Sequence, residues 1–182
     1  MIEIGNFDAL YERGIVFSAD DVLRMARESR QLLPEVVLSV TIPHTLPLDE
    51  QIHLATALEE AGVDVIQTEG KFSANAASMG VQELIEVAAP TLASAYALSR
   101  VVAVPVMCSS GLTEVTANLA LQMGARGIGV GSMVNKLKSL SQMVLATSAI
   151  ASSIGRVEAA EGAPAVTAQS TAYTTAHTHQ RI

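Results

Sequence analysis

Residues 124–132 read GARGIGVGS, and this stretch decides the predicted fold. Glycines at 127, 129 and 131 alternate with isoleucine and valine in a short strand, and Ser132 follows where a helix begins. Glycine inside a strand costs stability, so glycine at alternate positions predicts that a ligand approaches the backbone closely. Backbone N–H groups at a strand-to-helix turn suit an oxyanion such as phosphate. The plainer interpretation is that the glycines only let a helix pack close to the strand.

Composition favours a parallel α/β protein. Apolar residues make up 49% of the 182 residues, aromatic residues make up 3%, and the formal net charge is −7. Aliphatic, alanine-rich chains are typical of parallel sheets covered by helices. The negative charge opposes binding to nucleic acid or to an anionic membrane surface. No apolar run reaches the roughly 20 residues that a membrane-spanning helix needs. The single cysteine, Cys108, excludes an internal disulfide.

Five strand-and-helix units follow one another along residues 1–154, which we predict to be one domain. The predicted strands are residues 1–5, 36–42, 63–68, 102–109 and the glycine stretch. The predicted helices are residues 19–33, 47–62, 81–88, 90–99, 113–124 and 133–154. From residue 155 the chain turns to Ala, Thr, Ser, Gln and Gly without apolar periodicity, which predicts a disordered tail over 155–182.

Two architectures fit five such units. They are the last five units of an eightfold TIM barrel, or a five-stranded doubly wound open sheet. The alternation of polar and aliphatic residues favours the barrel, because Glu3, Thr41, Gln67 and Glu69 stand at alternate positions between aliphatic neighbours. In a closed barrel, the aliphatic set packs under the helices and the polar set points into the mouth.

Candidate functional residues stand at the carboxyl ends of the predicted strands, where TIM barrels carry their sites. The candidates for proton transfer are Glu69, Glu3 and His44. The candidates for binding phosphate are Ser110, Gly111, Gly129, Gly131 and Ser132. Further polar pocket positions are Asn6, Asp8, Thr41 and Gln67. Two carboxylates and a histidine facing one cavity can exchange protons, and they can also bind a divalent cation. No metal site is predicted, and the sequence identifies no cofactor.

Structural roles compete with these assignments. Glu3 could be a carboxylate that only bonds neighbouring groups in the barrel mouth, and His44 could simply cap the helix that follows it. Cys108 shares the phase of Val104 and Val106, which predicts a buried small apolar residue. Lys71 stands in a loop among small residues, and this position argues against a Schiff-base lysine.

Several segments carry a family resemblance. The chain resembles the hypothetical chloroplast reading frame 23 family of algal plastids and cyanobacteria in the segments EIGNFD, YERGIVFS, VTIPHTLPLDEQI, QTEG, SSGL and GIGVGSMVNKL. The resemblance covers about residues 1–150. It implies a TIM barrel of uncharacterised function with a phosphate site, in the cytoplasm of a cyanobacterium or in the plastid stroma. It supplies no catalytic residues.

Family members begin well before the position of Met1, with three further strand–helix units. We therefore expect this chain to be a fragment of a longer protein. The alternative is a homo-oligomer, because a barrel without three strands leaves two raw sheet edges that must be covered.

Three functions remain open at this point. The first is an enzyme that binds a small phosphorylated metabolite and performs isomerase, aldolase-like or synthase chemistry. The second is a non-catalytic binding or regulatory scaffold in photosynthetic cells. The third is a flavin-binding barrel, which ranks last because so few aromatic residues are present to stack on an isoalloxazine ring.

Overall fold

A computed structural model describes residues 1–5, 7–11, 13–70 and 80–161. Its strands are β1 (Ile2–Ile4), β2 (Leu38–Thr41), β3 (Val65–Gln67), β4 (Val106–Ser109) and β5 (Gly127–Gly129). Its helices are α1 (Asp8–Tyr11), α2 (Ala19–Leu32), α3 (Leu48–Glu60), α4 (Val81–Leu98), α5 (Ala117–Gln122), α6 (Ser132–Asn135) and α7 (Leu140–Glu161). The predicted alternation of strands and helices is therefore present, with strands shorter than predicted.

The strands form one parallel sheet in the order β1-β2-β3-β4-β5. A doubly wound sheet reverses its strand order at a switch point. This sheet places each strand beside the next one along the chain, so the doubly wound alternative is wrong. Within the described residues, β1 pairs only with β2 and β5 only with β4. The sheet is therefore open there, and its closure into a TIM barrel stays a prediction.

Helices cover one face of the sheet and form the core with it. Val40, Ile66, Val106 and Cys108 lie on this face, each at most 1% exposed, in one cluster with helix residues such as Leu58. Each fully buried aliphatic side chain contributes about 1.5–3 kcal/mol, so this face holds the helices on the strands. The prediction that Cys108 is a buried small residue is confirmed, and burial raises the pKa of its thiol.

The segment after β3 differs from the prediction. Two helices were expected there, over 81–88 and 90–99, but α4 is continuous and contains Pro90. Proline removes the backbone N–H that would bond to the carbonyl of Glu86. Because Glu86 is exposed, water can take the place of that N–H. The helix therefore continues through a residue that the sequence marked as a boundary.

The segment after β5 also differs. The single helix predicted over 133–154 is divided into α6 and α7. Ser139 begins the second helix, since its Oγ accepts a hydrogen bond from the backbone N–H of Gln142 at 3.3 Å, as an N-cap does. Helix α7 continues through Glu161, past the predicted start of the tail. The rest of the predicted tail, 162–182, lies outside the described residues. None of the described helices combines the length and hydropathy that crossing a membrane requires.

Candidate functional site

Polar side chains lie on the sheet face opposite the helices. The register places Glu3 beside Ser39 and Thr41 beside Gln67, which agrees with the predicted alternation. Nε2 of Gln67 donates to Oγ of Ser39 at 2.7 Å, and its Oε1 accepts from Oγ of Ser109 at 3.0 Å. Gln67 is only 3% exposed. These bonds make Gln67 a bridge between β2 and β4 that holds the polar face in register.

A hydrogen-bonded cluster lies just beyond the ends of β2 and β3. Oε2 of Glu69 accepts hydrogen bonds from Oη of Tyr11 (2.7 Å), from the backbone N–H of His44 (3.1 Å) and from Nδ1 of His44 (2.9 Å). The Glu69 side chain is 2% exposed and the His44 side chain 20%. The rings of Tyr11 and His44 meet edge to face, with centroids 5.5 Å apart. The structure thus brings together two of the three predicted proton-transfer residues.

Tyr11 was not among the site residues predicted from the sequence. This residue stands 58 positions from Glu69 along the chain, at the end of the short helix α1. A lone tyrosine in such a helix has no pattern of its own. The signal that could have found it is its place in the segment that follows the carboxyl end of β1, since the segments after the other strands already carried candidates.

Glu3 stands apart from this cluster. It is paired with Ser39, which is paired with Val65, four residues before Glu69. At a rise of about 3.3 Å per residue, Glu3 lies about 13 Å from Glu69 along the strand direction. Its side chain is exposed. This offset refers to the backbone, and the Glu3 carboxylate reaches toward Gly5 and Thr41. The role of Glu3 in proton transfer therefore stays a prediction.

The turn after β4 packs closely against the end of β3 and against α4. Ser110 has φ +64° and Gly111 has φ +70°, both in the left-handed region. A Cβ on Gly70 would lie 2.5 Å from the carbonyl oxygen of Ser110, and a Cβ on Gly111 would lie 2.5 Å from the carbonyl oxygen of Val87. Glycine at these two positions therefore lets the end of β3, the β4 turn and α4 approach one another closely.

The glycines of the β5 stretch have different roles. A Cβ on Gly129 would lie 2.6 Å from Oγ of Ser109, so packing requires glycine there. A Cβ on Gly131 would meet no described atom within 4 Å, and its φ of −110° (ψ −81°) lies outside the left-handed region that favours glycine. Gly131 is the N-cap of α6, which begins at Ser132 as predicted. Packing within the described part of the chain therefore explains Gly129 and leaves Gly131 unexplained.

The other predicted pocket positions divide into two groups. Thr41 is 5% exposed, and its side chain fills the space where a Cβ on Gly5 would stand. Asn6 lies outside the described residues, as does the side chain of Asp8, so neither is assigned to the site. Across the described ranges, no group of three or more His, Cys, Asp or Glu side chains is placed to hold a metal ion.

The fold and these strand ends define the class of protein. It is an α/β protein with a sequentially ordered parallel sheet and a polar cluster at the carboxyl edge. The family model described as "Protein of unknown function (DUF561)" matches residues 1–159. The chain belongs to this family.

Curated relatives agree with this assignment. The chain is 47% identical over 144 residues to the uncharacterized protein ycf23 of Cyanophora paradoxa, covering 79% of this chain and 59% of the relative. It is 37% identical over 145 residues to ycf23 of Porphyra purpurea, covering 80% of this chain and 55% of the relative. The resemblance to the chloroplast reading frame 23 family is thereby confirmed. The chain spans little more than half the length of these relatives.

Solved structures share the fold at low sequence identity. One is described as the Amycolatopsis orientalis BexX/CysO complex (TM-score 0.54, 19% identity, 83% of this chain and 55% of that chain). Another is a thiamine phosphate pyrophosphorylase from Pyrococcus furiosus (TM-score 0.52, 18% identity, 81% of this chain and 71% of that chain). At this identity the likeness concerns the α/β fold alone.

Proposed function

We propose that the protein binds a small phosphorylated metabolite over the turns that follow β4 and β5. In this proposal, the Glu69–His44 pair then exchanges a proton with the bound metabolite, as isomerase, aldolase-like or synthase chemistry requires. Gly131 is the observation that carries the proposal. Glycine is expensive in stability where neither φ nor packing requires it. An anion that approaches the backbone N–H groups of this turn accounts for the missing side chain.

The turn after β4 supports the same location. A non-glycine residue in the left-handed region costs about 1–2 kcal/mol, and Ser110 bears this cost where glycine would avoid it. Its hydroxyl has no hydrogen-bond partner in the part of the chain that the structure describes. Strained residues of this kind concentrate at binding sites. A serine hydroxyl pointing to a phosphate oxygen would offset the strain.

Positive charge stands close to the proposed anion site in the sequence. The net charge of the chain is −7, so a phosphate needs local attraction. Lys136 and Lys138 follow α6 directly, and both are exposed. These two lysines place positive charge within seven residues of Gly131 along the chain. Their charge supports an anionic ligand at this turn.

Inorganic phosphate is the probe that tests the binding step. We expect phosphate to raise the melting temperature of the full chain at constant ionic strength. At about ten times its dissociation constant a ligand stabilises a protein by about 1.4 kcal/mol. That stabilisation corresponds to a rise of about 3–6 °C for a chain of this size. No rise with phosphate or with any phosphorylated metabolite would contradict the proposal.

A matched pair of variants locates the site. Gly131→Asp adds a negative charge at an N-cap position that has open space around it, so the fold is retained. We expect it to abolish the rise with phosphate. Gly80→Asp adds the same charge at the N-cap of α4, where a Cβ likewise meets no described atom within 4 Å, and should keep the rise. A loss in Gly80→Asp alone would move the anion site away from β5.

The enzymatic step needs its own measurement. If phosphate binds but His44→Gln and Glu69→Gln leave the cellular function of the folded protein intact, the non-catalytic scaffold replaces the enzyme. We place either protein in the cytoplasm of a cyanobacterium or in the plastid stroma, which fits a plastid-type family.

A further inference from the structure

Glu69 and His44 are proton-transfer candidates that contact each other. Their hydrogen bonds and their exposure differ, and these differences indicate a separate role for each. We propose that His44 Nε2 is the atom that exchanges the proton, that Glu69 only orients the ring, and that Tyr11 is the positioning residue that holds the pair. This inference rests on the proposed function and deepens it.

The hydrogen bonds on Glu69 determine which ring nitrogen carries hydrogen. Oε2 already accepts from Oη of Tyr11 and from the backbone N–H of His44. An oxygen that accepts these bonds requires a donor at the third contact, so Nδ1 of His44 carries the hydrogen at 2.9 Å. In the neutral ring the lone pair is then on Nε2.

Exposure assigns the exchange to the histidine. The Glu69 side chain is 2% exposed, whereas the His44 side chain is 20% exposed. A ligand can therefore reach the imidazole edge more readily than the carboxylate. In the transfer step, a ligand O–H or C–H bond breaks, its electron pair stays on the ligand, and the proton forms a bond with Nε2. The carboxylate of Glu69 stabilises the imidazolium, and the proton later returns to the ligand or product.

Tyr11 holds the Glu69 carboxylate through a hydrogen bond that does not come from His44. Both histidine donors to Glu69 belong to one residue, but the phenol comes from α1, an element that follows a different strand. Its hydrogen bond of 2.7 Å holds the carboxylate in place, and its ring contacts the imidazole edge to face. Loss of the hydroxyl removes one of the hydrogen bonds that orient the carboxylate, and it therefore weakens the preference of the ring for one tautomer.

Nuclear magnetic resonance of the histidine rings tests this inference on the full chain without ligand. The ¹⁵N shifts of a ring distinguish the Nδ1–H tautomer from the Nε2–H tautomer, and His44→Gln assigns the signal. In the wild-type protein we expect the Nδ1–H form to prevail roughly tenfold or more, as a bond to a carboxylate implies. In Tyr11→Phe, in which Nδ1 keeps its contact with the carboxylate, we expect the excess of the Nδ1–H form to fall several-fold.

Tyr96→Phe is the matched control. It removes the same hydroxyl from an exposed tyrosine of α4 whose ring contacts Arg100, away from Glu69. This variant should keep the wild-type ring shifts of His44. If Tyr11→Phe fails to fold, Glu69→Gln gives the same readout, because it keeps the side-chain volume but removes the charged acceptor. Wild-type His44 shifts in a folded Tyr11→Phe or Glu69→Gln protein would overturn the inference.

The test of the positioning role can succeed or fail independently of the test of phosphate binding. Tyr11→Phe should leave the response to inorganic phosphate unchanged, since the anion site is at the β4 and β5 turns. Gly131→Asp should remove that response and leave the His44 shifts unchanged. A protein that ignores phosphate but shows the Tyr11 effect would refute the proposed function and retain the positioning role.

Discussion

Replacing Gly129 with alanine places a methyl group 2.6 Å from Oγ and 3.2 Å from Cβ of Ser109. Ser109 must then turn away, and its hydrogen bond to Oε1 of Gln67 is lost. Gln67 is buried, so its oxygen is left without that donor in a place that water reaches poorly. The variant thus tests whether this glycine serves packing rather than a ligand.

The expected cost follows from these contacts. A buried acceptor without its donor costs about 1–3 kcal/mol. The remaining close contact between the two side chains costs about 1–3 kcal/mol in displaced structure. Alanine recovers about 0.4–1 kcal/mol because it restricts the unfolded chain. We expect a net loss of about 2–3 kcal/mol, which lowers the melting temperature by about 4–12 °C.

Urea denaturation followed by circular dichroism measures this loss, with Gly131→Ala as the control. A Cβ at position 131 meets no atom of the described residues within 4 Å, so the control should stay within about 0.5 kcal/mol of the wild type. Combining Gly129→Ala with Ser109→Ala removes the hydroxyl contact, and we expect a coupling energy of about 1 kcal/mol. Equal stability of Gly129→Ala and Gly131→Ala would refute the reasoning.

Three further predictions concern groups outside the site. The guanidinium of Arg30 donates to Asp64 and to the carbonyls of neighbouring loops. Arg30→Lys should therefore cost about 2 kcal/mol in urea denaturation, since one ammonium group cannot reach them all. The backbone N–H of Leu38 and the charge of Arg30 lower the pKa of Asp64. Its contribution to stability is complete above the ordinary carboxyl pKa and is lost as pH falls through the lowered one, and Asp64→Asn should remove this acid-side loss. Cys108 is buried and the pKa of its thiol is raised, so maleimide should label the native chain slowly and the urea-unfolded chain fast. Fast labelling of the native protein would contradict its burial.

Local sequence patterns predicted much of the fold. The Ser18–Asp21 capping box starts α2 at Ala19, as predicted, because both partners stand within one turn. The alternation around Thr41 and Gln67 predicted the polar face correctly, since side chains alternate along any strand. Local pattern failed at Pro90, where the helix continues because the carbonyl that loses its N–H partner belongs to the exposed Glu86.

The candidate site could be predicted from the sequence only in part. Glu69 and His44 could be proposed together, because parallel strands end at one edge of the sheet. Their partner Tyr11 was not proposed, and Glu3 was grouped with them although the register offsets its backbone by about 13 Å from Glu69 along the strand direction. The distinction between Gly129 and Gly131 was invisible in a repeated glycine pattern, because only the neighbouring strand supplies the Ser109 hydroxyl that makes one of them obligatory.

The sequence by itself determined the strand-and-helix alternation, the polar face of the strands and the buried state of Cys108. These features depend on the period of the backbone, which neighbouring residues set through their own geometry. The tertiary structure alone decided the strand order, the heights of Glu3 and Glu69, and the meeting of Tyr11 with Glu69. Those features depend on the relative placement of segments up to 58 residues apart. Packing of the whole sheet sets that placement, and no local stretch of the chain contains it.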